Sequence, residues 1–378
     1  MSAVTYDLWV EEAWNKVVAK VEQTSKTIGA GFPHVSKEGK YDCTDPQGWT
    51  SGFWPGLLWL LYRDTNNEEL RQLAEQCESK MDVCIDEYTR LHHDVGFMWS
   101  LTSVANYKLT GNEASKLRAL KVAAWLAGRF NLKGSFIRAW NQSNWESANG
   151  NTGWAIIDCM MNLSLLFWAS EQIGDPRFKH IAEAHAHMVM REFIRADGSV
   201  YHIVQFGPET GERIGALGGQ GFAPESAWAR GTTWALYGLA LCYRYTGNDV
   251  YLQASKKVAH FFLANLPEDL VPYWDFRLTT QEGAPRDSSA AAIASSGLLL
   301  LAESLPAEEG RLYETSAKRI LKSLVDRYAI WDTSDEAILP HGTGHWPANK
   351  NIDVGLIYGD YYFVEALAKL RGQTELFW

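Results

Sequence analysis

Much is scarce in this 378-residue chain, and each scarcity removes a class of protein. No run of lysine and arginine occurs, and 45 acidic against 35 basic side chains give a formal net charge of -10, which excludes a nucleic-acid surface. The same sign means that an acidic ligand has to be caught by a local site and not by the overall field. Cysteine is limited to five scattered residues (Cys43, Cys77, Cys84, Cys159, Cys242) without a CxxC or zinc spacing. They read as reduced, mostly buried thiols of a cytoplasmic protein. No uninterrupted apolar run approaches a membrane span, and residues 1–7 lack the basic and apolar regions of a leader, so neither a membrane nor export is expected. HExxH, P-loop, GxSxG and dinucleotide-binding glycine patterns are missing where they would carry chemistry. His185 and His187 lie two apart on an amphipathic helix and so on different faces. With no ligand cluster of metal spacing in view, no metal and no cofactor is expected.

What the chain does have is apolar and aromatic. Hydrophobic residues make up 46%, enough for a large core, and 17 Trp with 16 Tyr are many for this length: they can fill a core, and in excess they also suggest a cleft that stacks on sugar rings. Length alone would suggest two or three domains. An internal repeat argues for one.

A junction recurs as Arg-Asp-Thr-Asn-Asn-Glu-Glu-Leu at 63–70, Tyr-Lys-Leu-Thr-Gly-Asn-Glu-Ala at 107–114, Glu-Gln-Ile-Gly-Asp-Pro-Arg-Phe at 171–178 and Tyr-Arg-Tyr-Thr-Gly-Asn-Asp-Val at 243–250, with a weaker copy at 302–309. Each strong copy ends one helix on Gly or Asn and starts the next on an Asn or Asp cap. The segments before the junctions (56–62, 100–107, 159–169, 231–243, 288–302, 361–370) are apolar or small nearly all round and must be buried. Their partners (8–28, 68–90, 112–130, 176–193, 250–263, 312–328) are amphipathic. Six inner helices ringed by six outer ones make an all-α (α/α)6 toroid, a single catalytic domain over residues 1–378. Short turns then fall on one face, and the long loops 32–49, 132–154, 195–226, 267–287 and 331–359 fall on the other, where a site is expected.

Polar residues collect at the inner-helix entrances on that second face. His92-His93-Asp94-Val95-Gly96-Phe97 opens the second inner helix, and Asp158 sits within Ile156-Ile157-Asp158-Cys159-Met160 at the third. Asp94 could simply cap its helix. Asp158, set among Ile and Met, must be paired, protonated or catalytic, because a bare buried carboxylate is prohibitive. An ion pair with Arg230 is one reading. The other is an acid whose pKa burial raises toward neutrality. Two carboxyls in one cleft suit a glycosidase, and the surrounding Trp, Tyr, Arg and Gln suit a sugar carrying a carboxylate. Tyr201-His202 falls in an expected hairpin, 199–206 with 213–217, that either lies on the surface or leans a histidine over the mouth.

These motifs resemble those of the unsaturated glucuronyl hydrolases of glycoside hydrolase family 88. The resemblance is carried by Gly48-Trp49-Thr50-Ser51-Gly52-Phe53-Trp54, His92-His93-Asp94-Val95-Gly96, Ala139-Trp140, Ile157-Asp158-Cys159, Tyr201-His202, Gly219-Gln220-Gly221, Ser226-Ala227-Trp228-Ala229-Arg230-Gly231 with Trp234, Arg286-Asp287-Ser288-Ser289 and Gly359-Asp360-Tyr361-Tyr362. It implies Asp158 as general acid/base, Asp94 assisting it, and Trp49, His93, Trp140, His202, Gln220, Arg230 and Trp234 as sugar-binding residues. The implied partner is an unsaturated uronate-containing di- or oligosaccharide left by a lyase. The implied reaction protonates C4 of its 4,5-double bond and adds water at C5, so that the glycosidic bond falls apart without attack at the anomeric carbon. The distance rule for retaining and inverting carboxyl pairs therefore does not apply.

The segment Gly344-His345-Trp346-Pro347-Ala348-Asn349-Lys350 keeps a lysine but lacks the serines of a sulfate-binding element, which speaks against a preference for sulfated disaccharides. The loop 140–146 departs from the family pattern and is expected to shape the leaving-group subsite. Three rival readings remain: an unsaturated rhamnogalacturonyl hydrolase acting on pectin fragments, a sugar epimerase on the same barrel, and a non-catalytic sugar-binding protein. The epimerase would place paired histidines at the barrel centre.

Overall fold

In the computed structural model, which describes residues 7–141, 150–375 and 377–378, the four strong junctions form as tight helix–helix turns. Asn66, Gly111, Gly174 and Gly247 end their helices in the left-handed conformation. The side chains of Asn67, Asn112, Asp175 and Asn248 then accept bonds from the first N–H groups of the next helix, donors that no helical carbonyl can reach. The weak copy has neither device: Ser304 stays right-handed, and Pro306 offers no side-chain cap.

The outer helix α1 (Leu8–Ile28) leads through the hairpin β1 (Pro33–Lys37) and β2 (Lys40–Cys43) to the inner helix α2 (Phe53–Thr65). The expected outer helix 68–90 breaks at Met81 into α3 (Glu68–Lys80) and the short α4 (Asp82–Asp86). The second inner helix is longer than expected and locally unwound, as α5 (Val95–Trp99), a π-helical stretch Ser100–Val104 and α6 (Ala105–Thr110). The outer α7 (Glu113–Ala127) precedes three short strands, β3 (Phe130–Asn131), β4 (Phe136–Ile137) and β5 (Trp154–Ile156). Then follow α8 (Cys159–Ile173), α9 (Pro176–Glu192), the hairpin β6 (Ile203–Phe206) and β7 (Arg213–Leu217), α10 (Ala229–Thr246) and α11 (Asp249–Ala264). The chain continues through α12 (Ser288–Glu303), α13 (Ala307–Ser323), β8 (Gly342–His345), β9 (Lys350–Leu356) and α14 (Ile357–Leu370).

The inner ring closes. α14 packs on α2, α2 on the π-helical stretch, α5 on α8, α8 on α10, α10 on α12, and α12 back on α14. This is the (α/α)6 toroid. Every residue of α12 from Ser288 to Leu301 is buried, as is every residue of α10 from Ala229 to Cys242, as a helix without a polar face requires. Close approach depends on small residues: a Cβ on Gly238 would stand 2.5 Å from Met160, and one on Gly297 2.5 Å from Leu236.

All the strands lie in loops that lead into inner helices, so they gather on the mouth side. They form the sheet β2-β1-β9-β8, the sheet β5-β6-β7 and the pair β3-β4. The pairing of Val35 with Leu356 ties the first loop to the last. Among the described residues no helix is long and apolar enough to cross a membrane.

Candidate active site

β5 delivers the chain to α8, and Asp158 stands at that helix's N-cap position without bonding any of its N–H groups. It forms no ion pair with Arg230. Its Oδ2 is buried without a hydrogen-bond partner, and His202 Nε2, itself unpartnered, lies 3.7 Å away. Burial, reinforced by the charge of Asp94, pushes the Asp158 carboxyl up to about 7 against the opposing pull of His93 and Arg230.

Asp94 holds the N-cap position of α5 but makes no capping bond, so the cap reading does not describe its side chain. Its Oδ2 faces His92 Nδ1 at 3.2 Å and His93 Nε2 at 3.4 Å, and Asn162 Nδ2 reaches its Oδ1 at 3.4 Å. Burial alone would raise this carboxyl. The charge and hydrogen bonds of the two imidazoles outweigh burial and hold it below the ordinary carboxylate range. Two adjacent acids thus have environments that drive them apart, one ionised and one protonated near neutrality.

Asn162 fixes this pair, although the sequence reading passed over it. From α8 it donates to the Asp158 carbonyl at 3.1 Å and accepts from the Phe97 N–H at 2.8 Å, locking the two helix entrances together. The contact demands glycine opposite: a Cβ on Gly96 would lie 2.5 Å from the Asn162 Cα.

The atoms of His92, His93 and Asp94 lie within 4.8 Å of one another, a spacing that could hold a metal ion. This corrects the expectation that no such cluster exists. His185, by contrast, is structural: its Nδ1 accepts from the Ile137 N–H at 2.9 Å.

His202 begins the strand pair that lines the mouth, so the expected hairpin does lean a histidine over the site. Its Nδ1 lies 3.1 Å from the Gly218 carbonyl and 3.0 Å from the Gln220 N–H, which aims Nε2 at Asp158. Gly219 makes this seat possible, with φ +55° and no room for a Cβ, which would meet His202 Nδ1 at 2.3 Å. The Gln220 side chain donates to the Gly344 carbonyl at 2.6 Å.

Arg230 is almost fully buried, and its partners come from elsewhere in the ring. Nη1 donates to Asp287 Oδ2 at 2.6 Å and to the Thr343 carbonyl at 2.8 Å, while Nη2 donates to the Gly344 carbonyl at 2.7 Å. Its guanidinium carbon lies 4.5 Å from the Trp228 ring, whose centroid is 4.4 Å from that of His202. Neither Trp228 nor Trp234 turns an open face to the mouth. Trp228 is enclosed in that stack, and Trp234 is fully buried against Phe97 and Tyr362 because it lies a turn deeper in the ring. Trp234 keeps one polar feature, a buried indole N–H without a partner.

Trp49 is half-buried against Phe53, Phe97 and Tyr358. Trp140 packs edge-on to Trp154, and both line a cleft of about 910 Å³ together with Ile203, Leu217, Gln220, His345 and Lys350. Of the loop 140–146, residues 142–146 lie outside the described residues. Asp360 serves the fold, accepting from Tyr41 Oη and from the backbone N–H groups of Ile338 and Leu339.

The family model for glycosyl hydrolase family 88 matches residues 15–366. An unsaturated glucuronyl hydrolase of Bacillus sp. (strain GL1) is 38% identical over 98% of this chain and 99% of its own length. Its crystal structure superposes with a TM-score of 0.93 at 37% identity, covering 98% of this chain and 99% of that one. An unsaturated chondroitin disaccharide hydrolase of Streptococcus pyogenes serotype M1 is 36% identical over 98% of this chain and 93% of its own length. A further solved structure, an unsaturated glucuronyl hydrolase variant with dGlcA-Glc-Rha-Glc, has a TM-score of 0.92 at 37% identity and covers 97% of this chain and 98% of that one.

Proposed function

This chain belongs to glycosyl hydrolase family 88, and from that premise we propose that Asp158 is the acid and then the base of its reaction. The protein is a glycoside hydrolase that releases the unsaturated uronic acid from lyase-generated oligosaccharides. The observation that carries the assignment is a largely buried carboxyl, held protonated up to about 7, with its buried Oδ2 unpartnered beside a second, ionised carboxylate.

The steps follow from those two states. The C4=C5 electron pair takes the Asp158 proton at C4, leaving positive charge shared between C5 and the ring oxygen. Water adds at C5 and returns a proton to the Asp158 carboxylate. The resulting hemiketal opens to a ketone, which turns C1 into a hemiacetal carrying the leaving sugar. That hemiacetal collapses to an aldehyde and a free hydroxyl. Asp94, ionised nearby, favours the positive charge that develops in the ring. His93, His202 and Trp234 each hold a buried polar atom without a protein partner, as groups that meet substrate would. Trp49, Trp140, Gln220 and Arg230 complete the set of sugar-binding residues in this reading.

A continuous core running from Val10 to Trp378 supports a single catalytic domain. Five free thiols, four of them buried, fit a reducing cytoplasm. The substrate is an unsaturated di- or oligosaccharide, and nucleic acid and membrane are not partners.

The test is a panel of lyase-generated disaccharides followed by ultraviolet absorbance, since hydration destroys the conjugated chromophore. Unsulfated glycosaminoglycan disaccharides are expected to lose absorbance faster than sulfated ones, because the segment 344–350 keeps a lysine but lacks the serines of a sulfate-binding element. Fastest turnover on pectin-derived fragments would favour the rhamnogalacturonyl reading, and a persistent chromophore would defeat hydrolysis altogether. Dialysis against a strong chelator is expected to leave the rate unchanged, because proton transfer and water addition require no Lewis acid. Loss of activity restored by one divalent ion would instead assign the His92, His93 and Asp94 cluster to a metal.

A further inference from the structure

The turn between β8 and β9 carries Trp346, which is 40% exposed although it stacks on the buried Trp274 with ring centroids 5.9 Å apart and an interplanar angle of 30°. Phe222, 45% exposed, meets the edge of the same Trp274 at 6.3 Å. Two large aromatic side chains from separate loops are thus propped open by one buried indole.

The support beneath them is built. The Phe222 N–H donates to Asp275 Oδ2 at 2.9 Å, and Trp274 is held through its backbone to Pro285 and Ala229. The root of the Trp346 turn is fixed by the Gly344 carbonyl, which accepts from both Gln220 and Arg230. Exposed aromatics gain nothing from water, and a supported pair of them beside a cleft is a contact surface.

Its position names the occupant. Phe222 lies two residues beyond Gln220, and Trp346 follows His345 directly; Gln220 and His345 both line the 910 Å³ cleft. The platform therefore adjoins the cleft at its Gln220 and His345 wall. We propose that Trp346 and Phe222 form a stacking subsite for sugar residues beyond the first leaving-group unit of an unsaturated oligosaccharide. Pyranose rings present apolar C–H faces to such surfaces, and Lys350, Gln220 and His345 on the cleft wall offer polar groups to the ring edges. This inference rests on the hydrolase reading above and extends it to chain length.

The experiment compares an unsaturated disaccharide with an unsaturated tetrasaccharide of uncharged outer sugars, by loss of absorbance, in the parent, Trp346→Ala and Phe222→Ala. Stacked rings are worth about three- to tenfold each, so kcat/KM on the tetrasaccharide is expected to fall by that factor. Disaccharide turnover and melting temperature should stay at the parent's values. Equal losses on both substrates, or none on either, overturn the platform. A parent that consumes neither substrate defeats the hydrolase reading. Calorimetric titration with the tetrasaccharide then decides the platform separately: weaker binding by Trp346→Ala sustains it, and unchanged binding ends it.

Discussion

Asp158→Asn is expected to lower kcat by roughly a hundred- to ten-thousand-fold, the usual contribution of a positioned general acid, with little change in KM. The amide is nearly isosteric and takes the same place at the α8 entrance, so the cleft keeps its shape. What it lacks is the proton. The parent's pH profile carries the same assignment: kcat should fall about tenfold per pH unit above about 7, where the raised carboxyl ionises. On the acid side the limb lies below the ordinary carboxylate range, because His93 and His92 hold Asp94 ionised. Near-parental turnover by Asp158→Asn would remove the residue from the mechanism.

The substitution should also stabilise the fold, and the sign can be worked out. A carboxyl raised from 3.8 to about 7 binds its proton more tightly in the folded chain than in the unfolded one. Stability therefore declines as pH rises through that window and stays reduced above it. Asparagine has nothing to ionise. Asp158→Asn should thus unfold at a higher temperature than the parent at pH 8, by up to about 4 kcal/mol of stability, and at nearly the same temperature at pH 4. A variant that gains stability while losing turnover separates a site held under electrostatic strain from one that merely packs.

The repeat made the fold readable. Caps such as Asn112 and Gly111 act within a few residues, so local chemistry announces them, and all-round apolarity identified the inner helices without any tertiary information. The break at Met81 and the π-helical turn at Ser100–Val104 gave no such signal, because both depend on packing between helices. The two carboxyls were legible because charge inside an apolar run is costly wherever the chain folds. The partners of Arg230 were not. Arg230 meets Asp287 and the backbone of residues 343 and 344, more than fifty residues away, and no spacing rule spans that distance. The depth of Trp234 was not legible for a related reason: helical periodicity gives direction around an axis but not depth, so it could not show that this residue lies a turn below the mouth. The buried Glu365, bonded by Tyr237, Ser296, Tyr361 and Trp378 and paired with Lys369 at 3.3 Å, was hidden in the same way inside a helix read as apolar.

Arg230→Lys should weaken both substrate recognition and the architecture of the mouth. The guanidinium serves Asp287 and two backbone carbonyls in one plane while lying flat between Trp228 and Tyr358, at 4.5 and 5.2 Å. A lysine keeps the charge, but its single nitrogen cannot occupy both Nη positions or stack. The hairpin that carries His345 and Lys350 would lose its hold on the α10 entrance, and a charged hydrogen bond of this kind is worth about 1.5–3 kcal/mol. KM is therefore expected to rise roughly ten- to a hundredfold, with a lower denaturation midpoint. Arg230→Met, which leaves Asp287 buried and unpaired, should cost about 3–5 kcal/mol of stability. The competing role, neutralising Asp158 from a distance, makes a different forecast. There Arg230→Lys would leave KM, kcat and the midpoint at the parent's values and move only the alkaline limb of the pH profile. The direct contact with Asp287 at 2.6 Å, and its absence with Asp158, favours the first outcome.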